Sequence, residues 1–290
     1  MINTLLEPLS YPFMLRALLA AGLVGVICSV VGTFIVLRGM AFFGDALSHT
    51  ILPGVAVGYL VSGRASEPLF WWAMGTAILS ALSIGAISRG GKIKEDTAIG
   101  IIFAGMFALG IALISTVKDY ALDLSHFLFG DILGVASRDL LLTGIFGALV
   151  LLILIAFYKE FVVISFDPVL ATTLRLPRRL LEYLLLILIA MTIVVSLQTV
   201  GVALMVAMLV TPAATASLLT RRLPVMMALA ALIGSLSGVV GLYLSFYMKV
   251  ASGAAIVLVA TAVFMITFLL VPRRAALAKR AAARLETRVG

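Results

Sequence analysis

Apolar residues in this chain fall in long uninterrupted blocks, not in the alternation of a half-buried strand. Nine blocks stand out, at residues 13–37, 44–61, 69–88, 97–117, 140–158, 180–197, 201–219, 225–248 and 254–271. A helix of about 20 apolar residues crosses the hydrocarbon of a bilayer. The pattern predicts an all-α, polytopic transmembrane helical bundle, with residues 1–290 as one transmembrane domain. Blocks 44–61 and 201–219 are short and contain Pro53 and Pro212, so broken or tilted helices there leave eight spans as an alternative to nine.

The polar gaps orient the bundle. Arg89, Lys92 and Lys94 share one gap, Arg175, Arg178 and Arg179 another, and Arg221 and Arg222 a third, while residues 273–290 form a basic tail. With nine spans all four clusters fall on one face, which the positive-inside rule makes cytoplasmic. The N-terminus is then outside and the C-terminus inside a cell membrane. The longest polar stretch, 159–179, is too short for a soluble domain and long enough for a small amphipathic helix.

Composition sharpens this picture. The chain is 63% hydrophobic and only 12% charged, which excludes a soluble enzyme, a disordered tail and a disulfide scaffold. The net charge of +8 sits in the gaps between spans, so topology explains it and nucleic acid is not an expected partner. The lone Cys28 reads as a packing residue, and Met205 and Met208 likewise. The first block lacks a small-residue cleavage pattern and is long enough to span, so no cleavable signal peptide is expected.

Ionisable side chains inside a span are costly, and each is a functional candidate. Block two holds a pair, Asp45 and His49. Their i, i+4 spacing puts both on one helix face. Carboxylate plus imidazole suits Mn²⁺, Zn²⁺ or Fe²⁺. Pro53 continues the stripe and withholds an N–H from the His49 carbonyl four residues back. Irregular backbone at membrane depth is tolerated where it lines a cavity, so the stripe is expected to face a pathway. Asp45 near a helix start also fits a cap or first-turn acid. Two ligands are too few for a tight site; further ligands come from elsewhere or from a second copy.

An outer segment carries His126 and Asp131, with Asp119 and Asp123 nearby, and reads either as an acidic vestibule or as a solvated turn. A phosphate loop is missing: the nearest approach, Gly90-Gly91-Lys92-Ile93, has Ala86 for the first glycine and Ile93 for the hydroxyl. The chain is therefore not expected to be an enzyme. The inner stretch 166–177 reads as a short capped helix, with Asp167 as N-cap, Pro168 first in the helix and Pro177 ending it. Its apolar residues suit a groove on another protein or the membrane surface.

Several blocks, in order along the chain, resemble the membrane subunit of manganese/zinc/iron ABC importers, the metal-ion ABC-3 permease family. They are the run 38–54 (RGMAFFGDALSHTILPG), Phe166-Asp167-Pro168 with Leu174 and Leu176-Pro177, Gln198-Thr199-Val200-Gly201, the run 211–216 (TPAATA) and the run 252–258 (SGAAIVL). The resemblance implies a type II importer-like permease. It implies a homodimer with two cytoplasmic ATP-binding subunits and an extracytoplasmic metal-binding protein. No cofactor is expected to be held permanently; the divalent metal is cargo. Asp45 and His49 become the transient metal site, with Ser48 and Pro53 supporting the pathway. Phe166, Asp167, Pro168, Leu170 and Leu174 become the coupling contact to the ATPase. Two positions depart from the family pattern: Arg175 stands where glycine is usual, and Lys249 where an acid is usual. An ion-coupled secondary transporter is the alternative; it predicts an internal repeat with paired broken helices, which the sequence lacks. An intramembrane metalloenzyme would need another fixed ligand and a general base.

Overall fold

The computed structural model describes residues 7–62, 66–89, 93–116, 132–166 and 168–289, and every regular element among them is helical. Helix α1 (Pro12–Leu37) begins with proline at its first position, where no N–H is needed. It stops at a glycine turn. Gly39 takes φ +71°, and the N–H groups of Gly39 and Met40 bond back to the Val36 and Ile35 carbonyls at 3.1 and 3.0 Å. This left-handed cap satisfies carbonyls that the helix end leaves open. The turn takes three residues, and α2 (Ala41–Thr50) starts at once.

The second apolar block is broken. Helix α2 ends at Thr50, and α3 (Leu52–Ser62) starts two residues later. Long spans follow as α4 (Ser66–Arg89), α5 (Glu95–Ile114) and α6 (Ser137–Ala156), then two short helices, α7 (Tyr158–Phe166) and α8 (Pro168–Thr173). The rest is α9 (Arg178–Val200), α10 (Val202–Leu219), α11 (Leu223–Met248) and α12 (Ser252–Val289). Among the described residues eight helices are long and apolar enough to cross a membrane. The block around Pro53 is not among them because its two halves are each too short. The block around Pro212 stays one helix, with that proline inside it.

Helices α1 and α9 form the interior: 67% of each span is buried, against 17% for α5 and for the span of α12. Helix α1 packs on α6, α9, α10 and α11. Short polar side chains tie the interior together. Thr143 on α6 and Thr199 on α9 share a hydrogen bond of 2.6 Å, Gln198 Nε2 donates to Asp139 Oδ1 at 3.1 Å, and the Cys28 thiol donates to Ser196 Oγ at 3.1 Å. Such bonds hold apolar helices in register where the bilayer itself gives no preference between helix and lipid.

Candidate metal site

Helix α2 is wedged between α4, α5, α9 and α10. Phe43, Gly44, Ala46, Leu47, Ser48 and Thr50 are buried. What remains open is one stripe, Ala41, Asp45 and His49, with Phe42 beside it. Asp45 is the fifth residue of the helix, beyond the first turn, and the N-cap position is Met40, which makes no side-chain cap bond. The carboxylate points along the helix to the imidazole, Asp45 Oδ1 standing 3.8 Å from His49 Nε2, with the side chains 41% and 27% exposed. Two donors about 2.1 Å from one ion stand about 3.0 Å apart at a right angle and about 4.2 Å apart in line. The observed gap lies between those limits, so one cation fits between the two groups.

The other side of His49 is aromatic. Its ring meets Phe103 and Phe107 of α5 edge-on, at centroid distances of 5.9 and 5.7 Å. Its Nδ1 is buried without a hydrogen-bond partner. Ser48 is buried, and its hydroxyl donates to the Asp45 backbone carbonyl at 2.6 Å, one turn back, away from the carboxylate. Pro53 is buried too. It lies in the first turn of α3 where Gly110 of α5 packs against Leu52 and Pro53; a Cβ on Gly110 would meet Leu52 Cβ at 2.6 Å. The His49 carbonyl takes the Ile51 N–H at the break, and the Val55 N–H bonds Ile51 at 3.1 Å to restart the helix. The open stripe thus ends at His49, and Pro53 shapes the bend behind it.

Sequence reasoning missed Phe103 and Phe107. An aromatic pair at i, i+4 is the only signal they give, and in an apolar run it is shared with many lipid-facing pairs. It also missed the Asp139–Gln198 bond, whose carboxylate sits in the first turn of α6. Among the described residues no group of three His, Cys, Asp or Glu side chains could hold a metal. One chain therefore brings two ligands together. His126, Asp131, Asp119 and Asp123 lie outside the described residues.

The inner stretch forms helix α8, shorter than its sequence suggests. It ends at Thr173, four residues before Pro177, because Arg175 turns left-handed at φ +53°. The N–H groups of Arg175 and Leu176 bond the Thr172 and Ala171 carbonyls, both at 3.0 Å, which closes the helix. Asp167 lies outside the described residues. Ala171 is buried, whereas Phe166, Val169, Leu170 and Leu174 are exposed and make an apolar face. Between this helix and the ends of α1, α4 and α5 opens a cleft of about 1070 Å³ whose walls include Thr172, Leu176, Leu37, Arg38 and Glu95. Arg38, on its wall, stands three residues before α2 in the chain.

Comparison with known proteins adds to this geometry. Residues 10–271 match the ABC 3 transport family. The manganese transport system membrane protein MntC of Halalkalibacterium halodurans is 48% identical over 271 residues, 93% of this chain and 91% of its own length. A probable iron transport system membrane protein of Haemophilus influenzae is 39% identical over 266 residues, 92% of this chain and 96% of its own. A chain in the solved structure of PsaBC from Streptococcus pneumoniae in complex with Fab has the same fold, with a TM-score of 0.82 at 39% identity over 97% of this chain and 100% of that one.

Proposed function

The chain belongs to the ABC 3 transport family, and from that premise we propose that it is the membrane permease of an ATP-driven importer for a divalent transition metal, Mn²⁺, Zn²⁺ or Fe²⁺. Relatives named for manganese and for iron transport support that cargo class. The observation that carries the reading is the open stripe of α2, where a carboxylate and an imidazole stand one helical turn apart at a spacing that accepts one ion. Oxygen and nitrogen donors together suit these metals, and none of them requires a thiolate.

Two ligands per chain fit a second copy supplying the same pair across a twofold axis. In this reading a metal-binding protein delivers the ion from outside. Two ATP-binding subunits dock on the segment around α8, on Leu170 with Phe166 and Leu174 on either side of that helix, and Asp167 and Pro168 belong to the same contact. Their closure pushes α8 against the cleft it shares with Leu37 and Arg38, the stretch of chain that runs on into α2, and the site changes the side to which it opens. Binding is weak because a pathway must let its ion leave. The chain itself acts as the transport subunit, and hydrolysis belongs to its partners.

Uptake of ⁵⁴Mn²⁺ and ⁶⁵Zn²⁺ by vesicles holding the reconstituted importer tests this. Losing an outer partner of a metal ligand typically costs 10–100-fold, so losing the ligand itself in His49→Ala is expected to cost at least roughly 100-fold. Undiminished flux in that variant overturns the site.

A further inference from the structure

In resident metal sites a ligating imidazole almost always donates its second N–H to a carboxylate, a carbonyl or water, which fixes the ring and strengthens the ligand. His49 lacks that support. Its Nε2 faces Asp45, while its Nδ1 is buried with no partner. The rings packed on the imidazole are phenyls. Phe103 and Phe107 meet the imidazole at 61° and 83°, stack on each other at 5.7 Å, and are backed by Phe42, 6.1 Å from Phe103. Phenyl groups offer an N–H no lone pair.

We propose that Phe103 and Phe107 are positioning residues that make His49 a weak ligand, so that the divalent cation shared with Asp45 is held briefly and released. The proposal rests on the reading of Asp45 and His49 as the ion's site. A neutral imidazole carries one proton. The proposal places that proton, without metal, on Nε2 beside the Asp45 carboxylate, which leaves a lone pair at the buried Nδ1. When Nε2 gives its lone pair to the cation, the ring proton must reside on Nδ1. The ring stays neutral, and the proton leaves one nitrogen as the other takes one up. The N–H so formed is buried beside the wall of phenyl rings with no hydrogen-bond partner, and a buried donor with no acceptor is costly. The unmet donor belongs to the loaded state alone. Loading is opposed and release is favoured, without any change in the two ligands.

The test gives the donor an acceptor. Phe103→Gln and Phe107→Gln each place an amide carbonyl where a ring stands. Retention of ⁵⁴Mn²⁺ alone, measured by equilibrium dialysis of the intact importer in nanodiscs, is expected to tighten about tenfold, the effect of satisfying one buried donor. Uptake turnover is expected to fall by a similar factor. Phe107→Leu keeps the wall apolar and offers no acceptor, so it is expected to hold Mn²⁺ no more tightly than the parent. Unchanged retention in both Gln variants overturns the proposal, and so does a Leu variant as tight as the Gln ones.

A second measurement leaves the wall intact. The chain has two histidines, so His126→Asn leaves His49 as its only one. With this chain alone ¹⁵N-labelled at histidine, imidazole spectra of the assembled importer are expected to show Nε2–H without metal and Nδ1–H with Zn²⁺. Nδ1–H in the metal-free state overturns the proposal. If His49→Ala retains Mn²⁺ as the parent does, the site itself is wrong. If His49→Ala loses Mn²⁺ and the Gln variants do not tighten, only the role of the wall is wrong.

Discussion

Two backbone positions decide how the site helix begins and how the docking helix ends. Gly39 holds φ +71° at the turn that launches α2, a conformation costing an L-residue about 1–2 kcal/mol. Part of that is returned because alanine has less freedom in the unfolded chain. Gly39→Ala is therefore expected to destabilise by about 1 kcal/mol, read as a lower thermal midpoint of the permease in detergent. Arg175 runs the other way. It sits at φ +53°, in the left-handed cap of α8. Arg175→Gly is expected to raise the midpoint by an amount worth up to about 1 kcal/mol; a lower midpoint would mean that the Arg175 side chain outweighs the strain. Left-handed geometry is what makes the family's usual glycine at this position intelligible. Asp45 and His49 are legible in the sequence because an ionisable group inside an apolar block is expensive and must have a reason. Phe103 and Phe107 are not legible there. A phenyl in such a block reads the same whether it faces lipid, the interior or a ligand.

At the scale of elements, the helices are legible because a chain in hydrocarbon must satisfy every backbone group internally, which forces long apolar runs into helices. Two prolines in short runs look equivalent in sequence and behave differently. Pro212 stays within continuous α10, whereas Pro53 sits just after a break and packs on Gly110. Neighbouring packing, invisible in one sequence, decides between those outcomes. Pro53→Ala restores an N–H facing the His49 carbonyl and lets α2 and α3 join. The expected result is uptake reduced several-fold with ATP hydrolysis retained, because the site helix is then locked in one orientation; unchanged uptake would show that the break is not needed. Helix α8 makes a separate prediction. Leu170 and Leu174 are 43% and 54% exposed. Covering the exposed half of two leucines is worth about 2 kcal/mol in all, or roughly 30-fold in affinity. Leu170→Ser with Leu174→Ser is expected to weaken capture of the ATPase subunit by about that factor while Mn²⁺ retention at Asp45 and His49 persists. Capture at full strength would leave α8 lying on the membrane surface instead.

For the whole molecule, the open question is which face meets a second copy. In the proposed assembly a second copy supplies the other pair of ligands, which puts the twofold axis beside Asp45 and His49. Helix α5 flanks that stripe through Phe103 and Phe107, yet only 17% of its span is buried. Its outward positions include Ala104 and Ala108, both exposed, in line with Gly100. Small residues at four-residue spacing let two helices approach closely in a membrane. Helix α12 is equally unburied, and both helices expose large residues, Ile101 and Leu109 on α5 and Leu258 on α12, but it is α5 that packs on α2. Cysteine crosslinking separates the two. The native Cys28 is buried and gives little background. Ala108→Cys is expected to yield a disulfide-linked dimer when membranes are treated with copper phenanthroline, and Leu258→Cys is expected to stay monomeric under the same oxidation. A dimer through Leu258 and none through Ala108 would put α12 at the twofold and leave Asp45 and His49 facing lipid. A carboxylate exposed to hydrocarbon on an unpartnered face is too costly to persist without a function, so that outcome would remove the pathway along with the interface.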